Sequence, residues 1–269
     1  MIGAIAGDII GSVHEGSDRK TKDFPLFVSS SRFTDDTVLT VAVASAIRQR
    51  SDYGPSIRQW GRRYSNAGYG GWFHHWLFQD DPKPYNSYGN GSAMRVSAIG
   101  WAFHDLDTLM LEARRSAEVT HNHPEGIKGA QAVAAAVFLA RTGYDKAQIR
   151  TFLAERFAYD CPLGLEELRR SGGFDVTCQG TVPAAAVAFF ESCDFEDAIR
   201  NAVSLGGDAD TLACIAGAIA EPFYGGVPAW IQREAMSRLD GTLRSEAVAF
   251  ARAYGVPLNL DEAGERTRG

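Results

Sequence analysis

Apolar residues recur along this chain at helical spacing, and the alternating apolar-polar runs that mark half-buried strands are scarce. Alanine-rich segments punctuated by glycine and proline predict helices near 2–14, 35–50, 55–66, 93–103, 107–119, 124–142, 145–157, 180–192, 195–204, 209–221, 227–239 and 242–252. Three stretches, 38–44, 130–140 and 212–220, are apolar nearly all round. Such helices sit at the centre of a bundle, where small residues let neighbouring backbones approach closely. The pattern contains no repeat, low-complexity tract or linker, so the expectation is one compact all-α domain over 1–269 with a frayed polar tail at 261–269.

Composition narrows the function classes. An apolar content of 45% and a charged content of 22% are ordinary for a globular chain of 269 residues. The formal charge of −6 argues against a general nucleic-acid binder, though not against an anion held in a local pocket. Cys161, Cys178, Cys193 and Cys214 are widely spaced with no C-x-x-C pair, which suits reduced thiols better than a disulfide frame or zinc site. The apolar start, Met1 to Val13, lacks a basic region and is interrupted by Asp8, unlike a signal peptide. No apolar run approaches membrane-spanning length, and a cytoplasmic protein is expected.

Two acidic helix starts carry the chemistry. Phe33-Thr34-Asp35-Asp36-Thr37 precedes one apolar helix and Gly206-Gly207-Asp208-Ala209-Asp210-Thr211 another. Capping alone explains each, with Thr34 and Asp208 as N-caps and acids suiting the helix dipole. Taken together they ask for more. Two central helices would place four carboxylates in or beside the core, where each must protonate or find a cation. No lysine or arginine lies at pairing spacing in either motif. Two divalent cations would neutralise all four charges, and adjacent aspartates diverging on a helix suit two bridged ions better than one. Ligands limited to carboxylates and the Thr34 and Thr211 hydroxyls select hard cations, Mg²⁺ or Mn²⁺ rather than Zn²⁺.

These motifs, with Gly3-Ala-Ile-Ala-Gly-Asp8-Ile-Ile-Gly11-Ser, Tyr88-Gly-Asn-Gly-Ser-Ala-Met-Arg95 and Thr120-His121, resemble the ADP-ribosylglycohydrolase family over roughly residues 2 to 225. The resemblance implies an orthogonal all-α bundle with a dinuclear magnesium or manganese centre, its ligands Thr34, Asp35, Asp36, Asp208, Asp210 and Thr211. It implies a diphosphate cradle from Ser87 and the backbone of Gly89, Asn90, Gly91 and Ser92, with Tyr88 against the adenine and His121 lining the pocket. It also implies a glutamate, here Glu15, on a mobile lid at the metal edge, and the charged, serine-rich stretch 16–31 suits such a lid. The reaction would be hydrolysis at the anomeric carbon of the distal ribose, releasing ADP-ribose from a modified protein or an ADP-ribose derivative. Glu15 is the first choice of general acid or base, and Asp36 and Asp210 complete the catalytic carboxylates.

Other readings stay open. Asn90-Gly91 is a common turn dipeptide. Thr120 to Glu125 reads as a helix start with Pro124 at its first position, and a metal pair from His121 and His123 lacks a third nitrogen or sulfur ligand. The aromatic run Tyr64 to Phe78 suits a helix seam, with a fraction shaping a pocket mouth. His104-Asp105 lacks the further histidines of HD-type phosphohydrolases. Rival functions are an ADP-ribose binder on the same fold without catalysis, and a metal-dependent phosphohydrolase.

Overall fold

The computed structural model describes residues 1–259, so the expected frayed tail at 261–269 lies outside the described residues. The observed elements are α1 (Ile2–Gly11), α2 (Asp35–Gln49), α3 (Tyr53–Arg63), α4 (Gly71–Phe78), α5 (Ser97–Ala102), α6 (Leu106–Glu118), α7 (Pro124–Arg141), α8 (Lys146–Phe157), α9 (Leu165–Ser171), α10 (Cys178–Phe190), α11 (Phe195–Val203), α12 (Ala209–Phe223), α13 (Ala229–Ser237) and α14 (Gly241–Tyr254). Among the described residues there is no sheet, only two isolated bridges, Ser17 to Gly207 and Gly89 to Thr177. The fold is all-α, as the periodicity predicts.

Twelve helices follow the predicted segments, and local chemistry explains their ends. Asp145 and Gln148 form a capping box on α8, Asp194 caps α11 and Asp240 caps α14. His123 caps α7 through Nδ1, which accepts from the Glu125 N–H (3.1 Å), with Pro124 next in the helix. Asp105 likewise caps α6 by accepting from the Thr108 N–H (2.8 Å), which accounts for the His104-Asp105 pair without a metal. Asp208 does not take the capping role that alone would have explained it. It stands at the N-cap position of α12 but makes no capping bond. α1 stops at Gly11, short of the predicted 14, so Glu15 lies in the turns beyond it.

The centre of the molecule is the contact between α1 and α12. All ten residues of α1 are buried. Gly3, Gly7 and Gly11, four apart, line the face turned to α12. A Cβ on Gly3 would stand 2.3 Å from Gly217 O, one on Gly7 2.1 Å from Ala213 O, and one on Gly11 2.4 Å from Asp210 Cα. Only glycine admits that approach. α2 packs on α1, α3 and α14, while α7 sits among α5, α6, α8, α10 and α12. The stretch 16–31 is tied down: Gly16 and Ser17 exchange hydrogen bonds with Gly207 (2.7 and 3.1 Å), Lys20 reaches Leu205 O (2.6 Å), and Phe24 and Leu26 enter the core.

Gly7→Ala drives a methyl into the α12 backbone and costs on the order of 3 kcal/mol, typical of overpacking. The expected fall in Tm is roughly 5–10 °C for a chain of this size. Thermal melts by circular dichroism check this. An unchanged Tm would mean that α1 and α12 are not in backbone contact.

Candidate active site

Close packing of α1 against α12, and of α1 against α2, brings the two acidic helix starts together. The link between α1 and α2 is Asp8, fully buried on α1. Its Oδ2 accepts from the N–H groups of Thr34 (2.9 Å) and Thr37 (3.1 Å) and from the Thr37 hydroxyl, and its Oδ1 accepts from the Thr34 hydroxyl (2.6 Å). Thr34 caps α2 by accepting from the Asp36 N–H (3.3 Å). Because its hydroxyl proton goes to Asp8, Thr34 Oγ1 presents only lone pairs elsewhere. Sequence reasoning assigned Asp8 no task. A lone acid in an apolar helix was the available signal, since a buried carboxylate requires donors.

The structure gathers Glu15, Asp35, Asp36, Asp208, Asp210 and Thr211 on the wall of one cavity of about 680 Å³. Ligand atoms of Glu15, Asp208 and Asp210 lie within 4.8 Å of one another, an arrangement able to hold a metal ion. Asp36 Oδ1 accepts from the Thr211 hydroxyl (3.4 Å), and its buried Oδ2 has no partner. No lysine or arginine forms an ion pair with Asp35, Asp36, Asp208 or Asp210 among the described residues. An orphaned carboxylate oxygen amid uncompensated acids fits a hard divalent cation.

Electrostatics agree. Burial, then the charge of Asp8, pushes the Asp35 carboxyl up to about 8. Burial and Asp208 push Asp210 up to about 10, and burial with Asp210 and Asp8 carries Asp36 well above the ordinary range. Glu15, exposed at the cavity edge, is raised by desolvation and by Asp208, with Arg32 opposing.

Opposite the acids lies the 87–92 loop. Its glycine and asparagine amides are partly committed: Gly89 N–H donates to Ser87 Oγ (3.1 Å) and Asn90 N–H to Val176 O (2.8 Å). Gly91 lines the cavity. Ser92 sits behind it, its hydroxyl donating to Gly126 O (2.7 Å). Asn90 does more than turn the chain, since its Nδ2 donates to Asp208 Oδ2 (2.6 Å) and Thr181 Oγ1 (3.0 Å). That bond holds the Asp208 side chain away from capping. Tyr88 is 50% exposed at the rim with its ring against His123 (5.3 Å). His121 is buried on the cavity wall. Trp72 and Phe174, 76% and 59% exposed, complete the mouth. The 174–177 wall, joined to the loop by the Gly89 to Thr177 bridge, carries no motif that sequence reasoning could have found.

Frame and site together define an all-helical hydrolase with an acidic centre. The chain belongs to the ADP-ribosylglycohydrolase family, whose model matches residues 1–256, and the family's enzymes are metal-dependent and act on glycosidic bonds. It is 26% identical to ADP-ribosylarginine hydrolase Tri1 of Pseudomonas putida (strain GB-1), over 88% of this chain and 74% of that one. It is 27% identical to ADP-ribosylhydrolase ARH3 of Bos taurus, over 84% of each chain. A solved structure titled ADP-ribosylglycohydrolase-related protein complex superposes with a TM-score of 0.69 at 26% identity, covering 93% of this chain and 96% of that one. No helix among the described residues is long and apolar enough to cross a membrane.

The raised carboxyls set a pH dependence. In metal-stripped protein, Asp35 and Asp210 bind more protons folded than unfolded between about pH 4 and their folded values of about 8 and 10. Their contribution to stability is therefore full below about pH 4 and is lost as pH rises towards those values. Bound cations reverse the preference, so the Tm gap between Mn²⁺-loaded and stripped protein should widen from about pH 5.5 to about pH 8. A gap that is flat or narrows would contradict the assignment. Asp8→Asn turns its amide towards Thr34 Oγ1 and redirects the threonine proton towards the carboxylates. Divalent-ion affinity should fall on the order of 10–100-fold in protein that still folds. Calorimetric titration decides; unchanged affinity would mean that the direction of the Thr34 hydroxyl does not bear on ion binding.

Proposed function

We propose that this chain hydrolyses the glycosidic bond at the anomeric carbon of the distal ribose, releasing ADP-ribose from a modified protein or a small ADP-ribose derivative. Two divalent cations, Mg²⁺ or Mn²⁺, would be held by Thr34, Asp35, Asp36, Asp208, Asp210 and Thr211. The observation that carries the reading is the convergence of five carboxylates from three chain segments on one cavity, with Asp36 Oδ2 buried and unpartnered. Such an arrangement is strongly unfavourable unless cations complete it. When bound, the ions supply positive charge that orients ribose hydroxyls and makes water more acidic.

The remaining tasks fall to side chains of this chain. Asn90 holds Asp208, and Asp8 holds Thr34, so the oxygen donors are positioned before the substrate arrives. Glu15 takes the proton of the attacking water or assists the leaving group; desolvation and the Asp208 charge raise its proton affinity above that of a free glutamate. Asp36 and Asp210 share the catalytic centre. Ser87, Gly89 and Gly91, with Asn90 and Ser92 behind them, cradle the diphosphate, and Tyr88 meets the adenine at the rim. The arginine linkage named for the Pseudomonas putida relative is one substrate class to test.

Reconstituted protein should carry about two divalent ions per chain and release intact ADP-ribose, identified by mass, from a panel of arginine-, serine- and O-acetyl-linked substrates. Release of phosphate or nucleotide would replace this reading with a phosphohydrolase. Glu15→Gln should keep metal content and ADP-ribose affinity while turnover drops on the order of 10²–10⁴-fold. Full turnover in that variant would pass the proton transfer to a metal-site aspartate.

A further inference from the structure

We propose that Thr120, backed by the buried Arg95, fixes His121 as the neutral tautomer with its proton on Nε2 and so makes it a hydrogen-bond donor to the diphosphate of the ligand. The proposal rests on reading the cavity as an ADP-ribose pocket and assigns two residues that this reading leaves without a task.

Arg95 is 0% exposed. Its Nη2 donates to Ser116 O (2.7 Å) and to Thr120 Oγ1 (3.1 Å), while Nε and Nη1 have no partner. A guanidinium has no lone pair to accept with, so Thr120 Oγ1 must be the acceptor in that contact. The other partner of the Thr120 hydroxyl is His121 Nδ1, at 2.7 Å. The oxygen has a second lone pair, but the hydroxyl proton has no acceptor in these contacts other than Nδ1, so the arrangement that satisfies both groups has Thr120 donating to Nδ1. Nδ1 is then an acceptor, and the single imidazole proton sits on Nε2.

A second proton on the ring is disfavoured from both sides. A proton on Nδ1 would face the Thr120 oxygen, already holding the Arg95 donor, and leave the threonine proton without an acceptor. Burial, then the Arg95 charge, lowers the affinity of His121 for a proton well below the ordinary histidine range. The other titratable ring beside it is Tyr85, at 6.0 Å between centroids. Nε2 has no protein partner and faces the 87–92 loop, 3.2 Å from where a Cβ of Gly91 would stand. Since Gly89 and Asn90 have committed their N–H groups, the cradle has few free donors. A fixed Nε2–H beside Gly91 adds one. Arg95, buried with no carboxylate partner among the described residues, adds a positive potential that favours an anionic occupant over a neutral one. His121 is on this account a positioning and recognition residue, not a general acid or base.

Nitrogen-15 imidazole spectra of the intact, ligand-free protein should show His121, assigned by its loss in His121→Gln, with a pyrrole-type Nε2 and a pyridine-type Nδ1. Thr120→Val should release the tautomer and weaken ADP-ribose binding on the order of tenfold, the worth of one donor to a charged acceptor. Adenosine, which lacks the diphosphate, should bind as to wild type, and Thr120→Ser should retain both signatures. A proton on Nδ1 in the wild-type spectrum overturns the proposal whatever the variants do. So does a Thr120→Val protein with normal ADP-ribose affinity, or one that loses adenosine and ADP-ribose alike, which would mark a structural role only. Wild-type protein that binds no ADP-ribose would refute the functional reading and the donor role with it, while the tautomer still decides the Arg95–Thr120 assignment.

Discussion

Everything in this molecule hangs on the Asp8 carboxylate. Placed inside an apolar helix, it could not remain ionised without donors, and it finds four on two threonines at the start of α2. That cluster fixes where α2 begins relative to α1. About a quarter-turn round α1 from Asp8, a glycine stripe lets α12 come into backbone contact. One ten-residue helix thus sets the distance between two acidic helix starts. The registration of a metal-sized cluster of oxygens is a by-product of how α1 packs.

The arrangement places like charges where a stable fold would avoid them. Asp35, Asp36 and Asp210 are all held above their ordinary range, with desolvation the leading cause in each. The surrounding scaffold bears this load. α2, α7 and α12 contribute small apolar side chains packed without exposure, and several caps secure the outer helices. A local departure from good folding rules inside an otherwise consistent structure is what a functional site looks like physically.

Much of this was legible in the residues. Helix positions followed from periodicity and from glycine and proline punctuation, because those signals are local, and caps such as Asp145, Asp194 and Asp240 secure the ends in the structure. Each acidic helix start is explained by capping when taken alone, and only as a pair, four carboxylates beside the core with no cationic partner in reach of either motif, did they point to a site. Two helices were not foreseen. α4 is aromatic on most faces and so has no polar period, and α9 is a short charged segment burying only Leu165. Capping alone could have explained Asp208, but Asn90 claims its oxygen from more than a hundred positions away. The Arg95–Thr120–His121 chain has the same character. Each member was visible, but which atom meets which depends on tertiary contact that no spacing encodes.

The pairing of α1 with α12 also has a consequence in time. About 200 positions separate Ile2–Gly11 from Ala209–Phe223, so α1 is synthesised well before the helix that is its main partner. At ordinary synthesis rates that is a wait of roughly 10–40 s, during which the glycine-lined face of α1 lacks its cover. Contacts so remote in sequence close late and slow the search for the native state. The acidic centre therefore cannot form on a partly made chain: the same contact that completes the core assembles the chemistry, and an incomplete or misfolded copy carries no active site.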